Sequence, residues 1–291
     1  MSELNWLDPF EVASALVKNA LIEDQASFDA ATGALGVYGE QLVICEVKTR
    51  EPIIVAGVEL AASVFDFLPG AVTVKIVVPD GNKAPLGALI ASISGSVSNI
   101  LRGERIFLNI LGRLCGIATV TAKFVDECSE TGVEILDTRK TTPGMRALEK
   151  YAVKMGGGVN HRFSLADMAM LKDNHLAAIG GVNNLALVME RLNKSGVPVE
   201  IEVDSIDQFK IVLTHNPDRI LLDNMTLAQL SEAVSLGKGT GIYLEASGGI
   251  NLTTVKAVAN TGVNGISVGK ITHSVESSDI GLDWNYGGEK E

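Results

Sequence analysis

The sequence has few cysteines, few aromatic residues and no surplus of positive charge. Its three cysteines, Cys45, Cys115 and Cys128, lie far apart and form no CxxC pair, which gives no support to a disulfide framework or a zinc site. Aromatic residues make up 5%, and 35 Asp+Glu outnumber 24 Lys+Arg, for a formal net charge of -11. A nucleic-acid partner needs a broad basic face, so this composition argues against one. We expect three buried thiols.

A secretory signal and a membrane span are also missing from the pattern. The first 25 residues are acidic and amphipathic, without the basic and apolar regions of a signal peptide. No apolar run approaches the roughly 18 residues that a membrane span needs. These features predict a cytoplasmic protein with no membrane partner.

What is present is enough apolar sequence for a sizeable core, since 46% of the residues are hydrophobic. Apolar residues recur at helical spacing over 3–24, and 100–132 reads as a connecting helix or helix pair. A helix is expected around 59–67. Between 41 and 98 the pattern predicts an antiparallel sheet from four short runs: LVICEVK, PIIVAGV, AVTVKIVV and ALIASISG.

The second half alternates strand-like and helix-like runs, as expected for βα units. Each strand-like run begins apolar and finishes in polar residues or glycine, which is typical of a β/α barrel whose active site lies at the carboxyl ends of its strands. Six strands are too few for a closed barrel of eight, so we predict an open, irregular α/β barrel. The predicted strands are VEILDT, AMLKDN, VEIEVD, RILLDN, YLEASGG and GISVG.

A basic cluster lies within residues 137–175, which contain three arginines, four lysines and two histidines although the whole chain is acidic. This concentration predicts a pocket for small, multiply charged anions, because arginine forks match carboxylates. A surface salt bridge is the alternative for any single member. Arg105, on the earlier helix, can join the pocket only across a domain or subunit boundary. The candidates within the cluster are Arg139, Lys140, Arg162 and Lys172.

Two histidines are candidate hydrogen-bond donors to bound anions. His161 adjoins Arg162 and is either a donor to a bound anion or a structural histidine, while His273 follows a glycine turn that suits a phosphate. No serine or cysteine with a nearby base favours covalent hydrolysis.

Carboxylates and glycines at strand ends complete the candidate site. Glu202 and Asp223 end neighbouring strands and suit sugar hydroxyls or Mg²⁺, unless one of them pairs with Lys140 or Lys172. Glycine turns follow the last two strands, where main-chain N–H groups can approach a phosphate; ordinary tight turns are the alternative. These turns are Ser247-Gly248-Gly249 and Ser267-Val268-Gly269.

The blocks DTRKTTPGMRALEKYAVKMGGGVNHRFSLADMAMLKDNH, ERIFLNILGRLCGIAT, SGGI and SVGKITHS resemble the quinolinate phosphoribosyltransferase family in sequence and order. The resemblance implies an N-terminal α/β sandwich domain over 1–115 and a C-terminal open α/β barrel over 116–274. Residues 275–291 form a tail that can pack back on the first domain. It also implies a homodimer, or a higher oligomer, whose site is completed by the partner.

The same resemblance implies Mg²⁺ as cofactor, and quinolinate and phosphoribosyl pyrophosphate as substrates. Nicotinate mononucleotide, pyrophosphate and CO₂ would be the products, on the route to NAD. Lys140, Lys172, Glu202 and Asp223 would be catalytic, the two carboxylates holding Mg²⁺ partly through substrate and water. Quinolinate would be bound by Arg105, Arg139, Lys140, His161, Arg162 and Lys172. Phosphoribosyl pyrophosphate would be bound by Glu202, Asp223, Ser247, Gly248, Gly249, Gly269 and His273.

One departure from the family pattern is Lys270, where a small residue such as alanine is expected. The resemblance therefore supports a phosphate-binding role for Gly269 less strongly than it supports that role for Ser247–Gly249.

Three alternatives stay open: a phosphoribosyltransferase for a monocarboxylate such as nicotinate, the related protein associated with molybdenum transport, and an idle binding or regulatory protein.

Overall fold

The computed structural model describes residues 5–284, and its contacts divide the chain into two compact units. The first unit contains residues up to Ala122, Thr141–Gly157 and the chain from Thr272 onward, and the second contains Lys123–Lys140 and Gly158–Ile271. The domain boundaries after 115 and after 274 stay a prediction. Residues 3 and 4 of the predicted first helix and residues 285–291 of the predicted tail lie outside the described part of the chain.

Eleven α-helices occur in residues 5–284. In chain order they are α1 (Pro9–Glu23), α2 (Ala30–Gly33), α3 (Val58–Ala62), α4 (Val97–Glu127), α5 (Arg146–Met155), α6 (Asp173–Ala178), α7 (Leu185–Ser195), α8 (Ile206–Leu213), α9 (Leu227–Gly237), α10 (Val255–Ala259) and α11 (Lys270–His273). Short 3₁₀ helices cover Ala26–Phe28, Gly36–Glu40, Ser63–Phe67 and Val182–Asn184.

Twelve strands occur in the same described residues. In chain order they are β1 (Leu42–Thr49), β2 (Ile53–Ile54), β3 (Thr73–Ile76), β4 (Lys83–Ala84), β5 (Leu89–Ser96), β6 (Glu134–Leu136), β7 (Ala169–Leu171), β8 (Val199–Val203), β9 (Arg219–Asp223), β10 (Tyr243–Ser247), β11 (Gly265–Ser267) and β12 (Ile280–Trp284).

The first unit contains a four-stranded antiparallel sheet in the order β12-β1-β5-β3. Three of the four predicted runs supply β1, β3 and β5. The prediction for PIIVAGV is wrong, because this run forms only the two-residue β2, which pairs with β4 in a separate sheet. The backbone turns at Gly57, which has a φ of 84° at the start of α3, and so the run cannot extend as a long strand. The remaining strand, β12, comes from the end of the chain.

The segment predicted as a helix or helix pair is the single helix α4, of 31 residues. By length and composition alone this helix is apolar enough to cross a membrane, although 67% of its most apolar window is buried within the protein. Such a helix is weak support for a membrane span, since core helices pass the same test. Small residues on it allow close packing: a Cβ added at Gly116 would lie 2.2 Å from the Glu276 carbonyl oxygen.

The second unit contains a six-stranded parallel sheet in the order β6-β11-β10-β9-β8-β7. Its six strands are the six predicted from the sequence. Beyond β6, Val159 makes one parallel bridge to Leu136. No pairing joins the outer strands β6 and β7 among residues 5–284, which confirms the mixed α/β fold with an open rather than closed barrel.

Candidate active site

Side chains of the central strands meet on one interior face of the parallel sheet. Glu200 of β8 and Glu245 of β10 both contact His161, and Arg219 Nη1 of β9 lies 3.6 Å from a Glu245 oxygen. Successive side chains of a strand point to opposite faces, so residues two or four positions further along share this face. Near the carboxyl ends of the strands, these residues are Glu202, Asp223 and Ser247. The sequence-predicted polar residues of the three strands are thus brought to one end of one face.

Lys172, directly after β7, forms an ion pair with Glu202 of β8, with Nζ 2.8 Å from Oε2. The Lys172 side chain is 45% exposed and that of Glu202 is 15% exposed. The pairing considered from the sequence therefore exists, and it places a cation and a carboxylate side by side at the carboxyl end of the sheet. This combination suits a ligand that carries both hydroxyl and anionic groups.

The charge of Arg139 acts on Arg162, although 22 intervening residues separate them in the chain. Burial, together with the charge of Arg139, lowers the pKa of Arg162. In the described part of the chain the buried Nε of Arg139 has no hydrogen-bond partner, whereas Arg162 Nη1 donates to the Met168 carbonyl oxygen at 2.9 Å. Two half-buried guanidiniums that repel one another are stabilised by an anion between them, so this pair supports the predicted anion pocket.

The loop after β10 is fitted against the end of β9. The Asn224 amide nitrogen donates to Asp223 at 2.7 Å, and its main-chain N–H donates to the Ser247 carbonyl oxygen at 2.9 Å. Gly248 has a φ of 99°, and a Cβ added there would lie 2.8 Å from the Asn224 main-chain nitrogen. Glycine is required here by both conformation and space. Asp223 and the predicted phosphate loop are therefore linked through Asn224.

His161 is buried, and its ring bridges the interior of the second unit. Its Nε2 lies 3.0 Å from Glu200 and 3.3 Å from Glu245, two carboxylates whose side chains are 0% exposed. Burial lowers the pKa of His161, but hydrogen bonds and charges from the two glutamates outweigh this effect and raise it to about 9. Burial also raises the pKa of Glu200, as does the charge of Glu245. The cluster therefore retains protons at neutral pH.

The contact made by Nδ1 indicates which nitrogens of the His161 ring carry a proton. Nδ1 accepts the Arg162 main-chain N–H at 2.8 Å, which requires a lone pair on Nδ1. A pKa of about 9 describes a ring protonated on both nitrogens at neutral pH, and that form conflicts with this contact. Two N–H groups cannot point at one another across 2.8 Å, so the geometry favours a proton on Nε2 alone.

Asp137, at the end of β6, anchors the segment that carries His161. One of its oxygens accepts the His161 main-chain N–H at 2.9 Å, and the other accepts the Asn160 amide at 2.6 Å. Asp137 is fully buried. This strand-end carboxylate therefore serves to fix the backbone.

The remaining predicted site residues are placed as follows. Lys140 is exposed, and its main-chain N–H donates to Thr138 Oγ1 at 3.0 Å. Gly269 directly precedes α11, whose first residue is the exposed Lys270. Arg105 and His273 both belong to the first unit and are exposed. Their binding roles stay predictions.

Sequence reasoning missed Glu200, Glu245 and Asn224. The two glutamates stood inside apolar strand runs, and only the residues that end each run were considered as candidates. The period of two provided a signal, because Glu200 precedes Glu202 by two positions and Glu245 precedes Ser247 by two. Asn224 ends the predicted run RILLDN, so its place at a strand end was itself a signal, although Asp223 alone was chosen there.

Comparisons with known proteins cover nearly the whole chain. The family model "Quinolinate phosphoribosyl transferase, N-terminal domain" matches residues 29–115, and the corresponding C-terminal domain model matches 117–283. The chain is 40% identical to "Nicotinate-nucleotide pyrophosphorylase [carboxylating]" of Mycobacterium leprae, over 94% of this chain and 98% of that protein. It is 36% identical to "Quinolinate phosphoribosyltransferase [decarboxylating] 2b, mitochondrial" of Nicotiana tabacum, over 92% and 80%.

A solved structure agrees with these sequence matches. The nicotinate-nucleotide pyrophosphorylase from Francisella tularensis superposes with a TM-score of 0.89 at 35% identity, covering 96% of this chain and 98% of that one.

Proposed function

The chain belongs to the quinolinate phosphoribosyltransferase family, and we propose that it transfers the phosphoribosyl group of phosphoribosyl pyrophosphate to quinolinate with loss of CO₂. The products are nicotinate mononucleotide, pyrophosphate and CO₂, and the reaction belongs to NAD biosynthesis. The names of the relatives support this reaction. One name calls the enzyme carboxylating and the other calls it decarboxylating, and these words describe the same reaction in opposite directions. The protein is an enzyme of the phosphoribosyltransferase class.

The observation that carries the choice of substrate is the pair Arg139 and Arg162. Two guanidiniums that act on one another electrostatically, one with a buried nitrogen that has no hydrogen-bond partner within residues 5–284, suit a rigid dicarboxylate better than a monocarboxylate such as nicotinate. In our proposal Lys140 and Lys172 add positive charge where the two substrates meet. Arg105 and His161 complete the quinolinate set predicted from the sequence.

The chemistry requires charge stabilisation more than proton transfer. Departure of pyrophosphate leaves an oxocarbenium-like ribose, which the pyridine nitrogen attacks through its lone pair. The ring nitrogen becomes cationic, so the carboxylate on the adjacent carbon leaves as CO₂ and its bonding electron pair stays on that carbon, which then takes a proton. Fixed positive groups around the two carboxylates and the leaving group would supply most of the rate.

Glu202 and Asp223 are the residues proposed to hold the ribose hydroxyls and Mg²⁺. Their donor set fits this ion, because both are carboxylates at the carboxyl end of one sheet face, and Mg²⁺ is commonly held by one or two carboxylates together with substrate phosphates. When bound, Mg²⁺ would neutralise charge on the pyrophosphate group. The loop Ser247–Gly249, Gly269 and His273 are proposed to contact the phosphate through N–H donors.

We further propose a homodimer, or a higher oligomer, with a site shared between subunits. Large apolar side chains are exposed on the first unit, among them Phe28 and Leu42, each 82% exposed, and burial against a second subunit would remove them from water. Light scattering after size-exclusion chromatography tests this proposal.

A cytoplasmic location is supported by three free, buried cysteines, since reducing compartments keep thiols unpaired.

The experiment that tests the function compares substrates. Purified protein with phosphoribosyl pyrophosphate and Mg²⁺ should release pyrophosphate with quinolinate and not with nicotinate. Turnover with nicotinate alone would favour the monocarboxylate alternative, and no turnover with either would favour an idle binding protein. A parallel reaction with EDTA should abolish release if the ion is required.

A further inference from the structure

The interior of the second unit contains a polar cluster that the proposed chemistry does not use directly. It consists of His161, Glu200 and Glu245, whose side chains are 6%, 0% and 0% exposed. Arg219, at the start of β9, lies beside Glu245 and stacks over the Tyr243 ring at 4.3 Å. Burying two carboxylates is costly unless they are paired or hydrogen-bonded, so the chain retains them at a substantial energetic cost.

The members of this cluster attract one another electrostatically. The Nε2 atom and one oxygen of each glutamate lie within 4.8 Å of one another, which is compatible with a shared metal ion. However, the Nε2 to oxygen separations of 3.0 and 3.3 Å are those of an imidazole facing two carboxylates at ion-pair distance, although Nε2–H is not aligned with either oxygen closely enough to form a hydrogen bond. Arg219 already supplies a positive charge to Glu245. We therefore interpret the cluster as an imidazole held between two carboxylates by electrostatic attraction.

Both nitrogens of the His161 ring are engaged within the protein. Nε2 faces the two glutamates, and Nδ1 accepts the Arg162 main-chain N–H at 2.8 Å. Asp137 holds the same segment through the His161 main-chain N–H. A ring arranged in this way fixes the backbone of Arg162, and its protonated nitrogen faces Glu200 and Glu245 rather than a substrate.

We propose that Glu200 and Glu245 are positioning residues for quinolinate binding. They orient the His161 imidazole, which in turn holds the Arg162 main chain so that its guanidinium keeps its place against the Met168 carbonyl oxygen. This inference rests on the proposed function and revises one part of it, because His161 then acts through Arg162 rather than on the substrate.

Kinetics of Glu245 variants test the positioning role. Glu245→Leu removes the acceptor, and we expect the KM for quinolinate to rise about tenfold, as for a misplaced substrate-binding group, while the KM for phosphoribosyl pyrophosphate changes less than about twofold. Glu245→Gln keeps an acceptor oxygen and should restore most of the loss. Glu190→Leu, at an exposed glutamate of α7, is the matched control and should behave as wild type. Equal increases in both KM values, or equal losses in the Gln and Leu variants, would overturn the proposal.

A spectroscopic measurement on the wild-type protein tests the ring directly and does not depend on turnover or on a variant that folds. The chain has only four histidines, so ¹⁵N-histidine labelling gives few signals, and His161→Asn identifies the one of interest. We expect Nδ1 without a proton and Nε2 with one, unchanged when quinolinate is added. A proton on Nδ1, or a change in the ring on adding quinolinate, would overturn the proposal. Lack of turnover by the wild-type protein would instead contradict the proposed function, and the ring signals would still report on the cluster.

Discussion

Gly248→Ala is the substitution whose effect on the proposed phosphate site is best defined by the structure. The residue has a φ of 99°, a conformation that L-residues rarely adopt. An added Cβ would lie 2.2 Å from Asn224 Oδ1 and 2.8 Å from its main-chain nitrogen. The side chain of Asn224 can rotate away, but its main-chain N–H is held by the Ser247 carbonyl oxygen at 2.9 Å. The loop itself must therefore move.

The magnitude follows from the conformation and the clash. Placing an L-residue in a left-handed conformation costs roughly 1–2 kcal/mol. If the loop escapes this strain by leaving its phosphate-binding position, the same free energy is lost from binding, which corresponds to an affinity about 5- to 30-fold weaker. The clash with the Asn224 nitrogen adds to this value, so the upper end is expected.

Steady-state kinetics with each substrate varied in turn measure the effect. The KM for phosphoribosyl pyrophosphate should rise, whereas the KM for quinolinate should stay near the wild-type value. Gly239→Ala is the matched control, because Gly239 has a φ of 84° but nothing within 4 Å of an added Cβ. It should lower the melting temperature without changing either KM. A wild-type KM for phosphoribosyl pyrophosphate in Gly248→Ala would refute the assignment of this loop.

Three further predictions concern assembly, stability and thiol reactivity. Mixing Arg105→Ala with Lys172→Ala subunits should restore part of the activity if the site is shared, and no recovery in mixed dimers would count against a shared site. Arg113→Leu should lower the free energy of unfolding by about 3–5 kcal/mol in urea denaturation, because it leaves the fully buried Glu149 without its ion-pair partner; a loss below about 1 kcal/mol would contradict this reasoning. Burial raises the pKa of Cys115 to about 12, so the folded protein should not react with Ellman's reagent at pH 8, while the denatured protein exposes three thiols; rapid reaction before unfolding would contradict the buried placement.

The parallel sheet was predictable because its strands carry a local signal. Each run is short, apolar and bounded by polar residues or glycine, and all six form strands at the predicted places. The antiparallel sheet was less predictable, since β12 comes from the end of the chain and pairs with β1 across more than 200 residues. No local pattern shows which distant strand completes a sheet.

The candidate site was predictable only in part, for a similar reason. Lys172 and Glu202 each end a strand, and the parallel topology brings them together at 2.8 Å. Glu200 and Glu245 lie inside apolar runs and were not considered as candidates, because sequence alone does not reveal that His161 reaches them inside the unit. A buried polar cluster depends on partners that only the folded chain supplies.

The central claim is that this chain couples phosphoribosyl transfer to loss of the carboxylate next to the pyridine nitrogen. Quinolinate labelled with ¹³C in its 2-carboxylate tests the claim most directly, in a reaction with phosphoribosyl pyrophosphate and Mg²⁺. The account predicts that the label appears in CO₂ in an amount equal to the pyrophosphate released, with unlabelled nicotinate mononucleotide as product. Label retained in a nucleotide product, or pyrophosphate released without labelled CO₂, would contradict it.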